Sequence, residues 1–125
     1  MAETAQSVFI VDDDESVLSS LRLLVESAGY CGVTFASADD FLRSGLMKNA
    51  DCLILDIRMP RMGGFELQEH LAASGVRIPV IFITGHDSFG MEERAMKKGA
   101  VAYLRKPFDE QSLLDAIQRA CGSGN

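Results

Sequence analysis

The sequence predicts an α/β fold, with a parallel sheet of five strands under five helices in a single domain. Three observations carry that prediction. Short apolar runs recur at Val8-Phe9-Ile10-Val11, Cys52-Leu53-Ile54-Leu55, Val80-Ile81-Phe82-Ile83 and Val101-Ala102-Tyr103-Leu104. They are too short for helices and lack alternation, as in strands buried on both faces. Segments with helical spacing lie between them, and such alternation implies parallel pairing with helices on both faces and right-handed crossovers. The length of 125 residues holds one core but not two.

The elements follow in order. After the first run, Glu15 to Ala28 places Val17, Leu18, Leu21, Leu24, Val25 and Ala28 on one helical face, and Gly29 supplies a left-handed stop. Cys31 to Phe35 reads as a short strand and Ala38 to Leu46 as a short helix carrying Phe41 and Leu42. Beyond the third strand, a loop from Ile57 to Gly64 leads to a helix ending near Ala73. Asp87 to Lys98 reads as a weaker helix, because an internal Gly90 costs it about 1 kcal/mol relative to alanine. Lys97 and Lys98 complement its dipole, and Gly99 ends it. Asp109 can cap a last helix with the stripe Leu113, Leu114, Ile117, Ala120 and Cys121. Residues 1–121 are expected to form the domain, and 122–125 a flexible tail or linker stub. Periodicity leaves the strand order open.

Composition narrows the function. Apolar residues make up 47% and charged ones 24%, an ordinary globular balance. A net charge of -6 argues against direct nucleic-acid binding, which needs a basic face. No run approaches a bilayer span, and Met1 to Gln6 lacks the basic and apolar regions of a signal peptide. Cys31, Cys52 and Cys121 show no metal-ligand spacing and read as reduced, mostly buried thiols of a cytoplasmic protein.

The strand ends carry the chemistry. In a parallel sheet, ligands bind beyond the carboxyl ends of the strands. There the sequence puts Asp12, Asp13 and Asp14, then Asp56, then Thr84, then Lys106. Carboxylates gathered there repel one another. Asp12, Asp13 and Asp56 with one lysine leave a charge of -2, which a divalent hard cation such as Mg2+ balances. Asp14 reads as a helix cap or surface residue, while Asp12 and Asp13 read as metal residues. A carboxylate at Asp56 can act as a nucleophile and form an acyl phosphate. The Thr84 hydroxyl and the Lys106 ammonium can then hold phosphoryl oxygens. Tyr103 alone reads as an amphipathic edge residue, and His70 as a surface or packing residue. Met59, Met62, Met91 and Met96 read as packing or as lining for a partner surface.

From about Ser7 to Cys121 the chain resembles the receiver domains of two-component response regulators. The matching pieces are Val11-Asp12-Asp13, Leu55-Asp56-Ile57-Arg58-Met59-Pro60, Ile83-Thr84-Gly85-His86 and Tyr103-Leu104-Arg105-Lys106-Pro107-Phe108, all in the family's order and spacing. The Thr-Gly-His and Lys-Pro-Phe elements are similar to FixJ-type receivers attached to helix-turn-helix transcription factors. The resemblance implies a flavodoxin-like, doubly wound sheet in the order 2-1-3-4-5, an arrangement for which receivers are themselves a standard example. It implies that a sensor histidine kinase phosphorylates Asp56, with Mg2+ held by Asp12, Asp13, Asp56 and the backbone carbonyl of Arg58. Lys106 would pair with Asp56 and then with the phosphoryl group, across a cis bond to Pro107. Thr84 and Tyr103 would form the switch, biasing an existing equilibrium. A homodimer through the fourth helix and fifth strand would follow, with DNA bound by a domain outside this chain. Arg58 and His86 would tune hydrolysis and partner fit.

Other readings have specific obstacles. An aspartyl-phosphate phosphatase would place an acid two residues after its nucleophile, where Arg58 stands. A flavin carrier of this fold would need a hydroxyl- and glycine-rich loop after the first strand, where acids stand. A phosphate-independent adaptor ranks low, because nothing is missing from the site. The expectation is a phosphoacceptor signalling domain with self-directed phosphoryl chemistry, not an enzyme acting on a separate substrate.

Overall fold

The structure is a computed structural model that describes residues 5–122. The expected tail beyond Gly122 and the first four residues lie outside that range. Five strands, β1 (Ser7–Val11), β2 (Cys31–Phe35), β3 (Cys52–Asp56), β4 (Val80–Thr84) and β5 (Ala102–Arg105), form one parallel sheet in the order β2-β1-β3-β4-β5. The helices are α1 (Glu15–Ser27), α2 (Ala38–Ser44), α3 (Gly64–Ala73), α4 (Met91–Lys97) and α5 (Glu110–Ala120).

Side-chain alternation along the buried strands divides the core into two layers. Phe9, Val11, Leu53, Leu55, Val80, Phe82 and Tyr103 face one layer, where Phe41 of α2, Phe65 and Leu71 of α3, and Ala95 of α4 cover them. Val8, Ile10, Cys52, Ile54, Ile81, Ile83 and Ala102 face the other, under Leu18, Leu21 and Val25 of α1 and Leu113 and Ile117 of α5. Phe9, Phe35 and Phe41 form a triangle with ring centroids 5.4–6.0 Å apart. Each consecutive residue of a central strand therefore has a covered place, which explains the unbroken apolar runs.

The helix ends obey local chemistry. The Asp14 carboxylate accepts from the Ser16 and Val17 amides, Ser37 accepts from the Asp40 amide, and Asp109 accepts from the Ser112 amide. Each satisfies an amide that the first helical turn leaves without a partner. Gly29 stands at φ 95°, as expected of a stop.

Four expectations are corrected. The helix from Ala38 ends at Ser44, because Gly45 turns left-handed at φ 71°, and a 3-10 turn over Met47–Asn49 follows. The helix expected over Asp87–Lys98 begins only at Met91. Gly90 is its left-handed cap at φ 81°, so the glycine costs the helix interior nothing. The last strand starts at Ala102 instead of Val101. Of the cysteines only Cys52 is buried; Cys31 is exposed and Cys121 half-buried.

Candidate functional site

Three of the sheet's carboxyl ends converge on one acidic pocket. Asp12 follows β1, its amide held by the Phe35 carbonyl at 3.1 Å, and its side chain is fully buried. Asp56 closes β3 with 5% exposure. Asp13 is exposed beside them. One carboxylate oxygen from each of the three lies within 4.8 Å of the others. Asp14 instead turns its carboxylate to the first turn of α1, in agreement with its reading as a cap.

Among the described residues, one ammonium faces this cluster. Lys106 Nζ lies 2.9 Å from Asp12 Oδ2 and 3.7 Å from Asp56 Oδ2. The expected pair with Asp56 is present, but Asp12 is the nearer partner. The Lys106 backbone is fixed by its N–H, which donates to the Thr84 carbonyl at 2.7 Å, and its peptide bond to Pro107 is cis, as expected. Burial favours the neutral amine, yet the Asp12 hydrogen bond and the Asp12 and Asp56 charges outweigh it and hold Lys106 above its usual range.

Asp56 is out of balance in the opposite sense. Burial, and then the adjacent Asp12 charge, push its carboxyl up to about 6. Lys106 and the Arg58 amide, which donates to Asp56 Oδ1 at 3.3 Å, offset only part of this. The pocket thus contains excess negative charge on hard oxygen donors, a set suited to a small divalent cation.

The loop after β3 is drawn tightly against this site. The Gly64 amide donates to the Ile57 carbonyl at 3.0 Å, and a Cβ at Gly64 would stand 2.7 Å from the Asp56 carbonyl oxygen. Gly63 faces the Ile57 carbonyl still more closely, at 2.4 Å for an added Cβ. Only glycine fits these two positions without moving the Asp56 and Ile57 backbone. Arg61 in the same loop holds φ at 71°, an unusual value for a side-chain-bearing residue.

Thr84 closes β4 and is 1% exposed, with its hydroxyl accepting from the His86 amide at 3.0 Å. Tyr103, on the neighbouring strand, is buried, and His86 and Arg58 are exposed at the rim. Residues that the sequence did not single out complete this edge. The Tyr103 hydroxyl donates to Asp87, whose other oxygen accepts from Arg105 Nε at 2.7 Å, while Arg105 Nη2 reaches Glu92 at 2.6 Å. Burial and then the Asp87 bond hold the Tyr103 phenol well above its usual range. The Arg105 hydrogen bond, followed by that of Tyr103, holds Asp87 below the usual carboxylate range.

A doubly wound sheet of this order, with an acid trio and a lysine at its carboxyl rim, defines a class of phosphoryl-handling signalling domains. Sequence comparison confirms the class: the response regulator receiver domain family matches residues 8–118, and the chain belongs to that family. It is 46% identical over 119 residues to Nodulation protein W of Bradyrhizobium diazoefficiens, covering 95% of this chain and 52% of the relative. Among solved structures it superposes on the response regulator StyR with a TM-score of 0.88 and 48% identity, over 96% of this chain and 61% of that one. The FixJ-N crystal structure matches with a TM-score of 0.85 and 38% identity, over 96% of both chains. The chain spans about half the length of the curated relatives it matches. Among the described residues, no helix is long and apolar enough to cross a membrane.

Proposed function

We propose that this domain accepts a phosphoryl group on Asp56 from the phosphohistidine of a sensor histidine kinase. An Asp56 carboxylate oxygen attacks phosphorus, the bond to the kinase imidazole breaks, and the imidazole leaves. Asp12, Asp13 and Asp56, with the Arg58 backbone carbonyl, would hold Mg2+. When bound, the cation neutralises the charge of the carboxylates and of the incoming phosphoryl oxygens. Lys106 supplies a further positive charge, and the Thr84 hydroxyl donates to a phosphoryl oxygen. Hydrolysis of the acyl phosphate releases inorganic phosphate and restores the carboxylate, so this chemistry is directed at the domain itself.

The readout runs through Thr84 and Tyr103. Recruitment of the threonine hydroxyl to the phosphoryl group opens space into which the tyrosine ring turns, biasing an equilibrium already present. The α4–β5 face then favours a homodimer, and the output is transcription through a domain outside this chain. Residues 1–121 would form the receiver and 122–125 a flexible tail or linker stub, in the cytoplasm and without direct nucleic-acid contact.

The observation that carries this reading is the convergence of the three carboxylates within 4.8 Å beside Lys106. Incubation with acetyl phosphate and Mg2+, followed by intact-mass measurement, tests it. The expected result is a gain of one phosphoryl group that Asp56→Asn abolishes. No gain, or a gain that survives Asp56→Asn, overturns the assignment. Light scattering on the same samples tests the dimer, which the phosphoryl group is expected to strengthen.

A further inference from the structure

The polar chain on the edge of the sheet has no part in the phosphoryl chemistry itself, yet it grips the residue that reports it. Tyr103 lies in the core layer with its register partner Phe82, and its hydroxyl meets Asp87 in the loop between β4 and α4. Arg105, two residues along the same strand and therefore on the same face, binds the other Asp87 oxygen at 2.7 Å. The same guanidinium lies 5.3 Å from the Tyr103 ring centre and reaches Glu92 in the first turn of α4 at 2.6 Å. β5, the loop after Thr84 and the first turn of α4 are thus tied together.

This arrangement fixes more than the hydroxyl. Asp87 cannot follow a rotating Tyr103 ring without leaving Arg105, and a buried hydroxyl that loses its partner is penalised. We propose that Asp87 is the positioning residue of the switch: held by Arg105, it keeps Tyr103 in the orientation present here and opposes the turn that phosphorylation favours. The switching part of this inference rests on the phosphoacceptor reading of Asp56. Removal of the Asp87 carboxylate frees the ring, and reciprocity requires that whatever eases the switch also favours the phosphorylated state. Because Asp87 and Arg105 are partly exposed, water and salt reduce the effect, which amounts to roughly threefold to tenfold in population.

The chain contains two tyrosines and no tryptophan, so 3-fluorotyrosine labelling gives two fluorine resonances, with Tyr103 identified by Tyr103→Phe. In Asp87→Ala the Tyr103 resonance is expected to move, without phosphodonor, toward its position in the parent chain treated with acetyl phosphate and Mg2+. Tyr30 is expected to stay and thereby report an intact fold. The affinity for beryllofluoride with Mg2+, a non-covalent mimic of the bound phosphoryl group, is expected to rise by about threefold to tenfold. Asp87→Glu is expected to return both readings toward the parent, and Arg105→Gln to shift them in the direction of Asp87→Ala. A Tyr103 resonance indifferent to Asp87→Ala and Arg105→Gln overturns the proposal, whether or not the parent is phosphorylated. So does a moved resonance with an unchanged or lower beryllofluoride affinity. If the parent gains no phosphoryl group at all, the phosphoacceptor reading and this switching role both fail.

Discussion

Replacement of Asp56 by asparagine is expected to stabilise the metal-free protein, and to do so more strongly as the pH rises. The folded state binds the Asp56 proton more tightly than the unfolded chain does, with the carboxyl at about 6 against 3.8. Its favourable contribution is therefore fully present below pH 3.8 and is lost as the pH rises through about 6. Ionised Asp56 then costs the fold about 3 kcal/mol at pH 8, and about 1 kcal/mol at pH 4.5, where it is mostly protonated. Asp56→Asn removes this cost, so its advantage over the parent should be about 2 kcal/mol larger at pH 8 than at pH 4.5. For a domain of this size that difference is roughly 8 °C in Tm. Urea and thermal unfolding in EDTA at the two pH values measure it. In the parent, Mg2+ at ten times its Kd should recover about 1.4 kcal/mol at pH 8, and little in the variant. An advantage of equal size at both pH values, or destabilisation at pH 8, would show that the acidic pocket is not the source of strain.

Two further substitutions test other parts of the architecture. Gly64→Ala forces a Cβ to 2.7 Å from the Asp56 carbonyl oxygen. It should lower the rate of phosphoryl gain and weaken Mg2+ binding, at a stability cost of about 1–3 kcal/mol, as read by intact mass, metal titration and urea unfolding. Unchanged metal binding would show that the loop does not position the site. Phe41→Ala removes one corner of the Phe9–Phe35–Phe41 triangle, where Phe41 is fully buried, and should cost about 3–5 kcal/mol. A fall in the urea midpoint with an unchanged slope would confirm a cavity effect.

The features legible in the sequence are those fixed by neighbours along the chain. Val8 to Val11 and Ile81 to Ile83 reveal doubly buried strands because each residue has an apolar layer to enter. Asp14 and Asp109 announce helix starts because a cap acts on amides two or three residues away. The start of α4 was harder to read, since the sequence does not say whether Gly90 lies inside a helix or caps it at positive φ. Strand order does not follow from periodicity and entered through the family resemblance. The Asp87–Tyr103 contact spans 16 residues and depends on β5 lying beside β4 in register, with Phe82 opposite Tyr103. The closer approach of Lys106 to Asp12 than to Asp56 also depends on the packing of separate strand ends.

The place of β5 at the sheet's border has a consequence for how motion is partitioned. The acids end β1 and β3, each hydrogen-bonded on both sides, whereas β5, among the described residues, has a strand neighbour only in β4. A border strand can loosen through local opening, while central strands open only when most of the domain unfolds. The charged pocket is therefore expected to stand on slowly exchanging backbone and Tyr103 on faster-exchanging backbone, as amide hydrogen exchange would measure. Under the proposed switch, such an arrangement would confine the change to the outer surface and leave in place the scaffold that aligns the carboxylates.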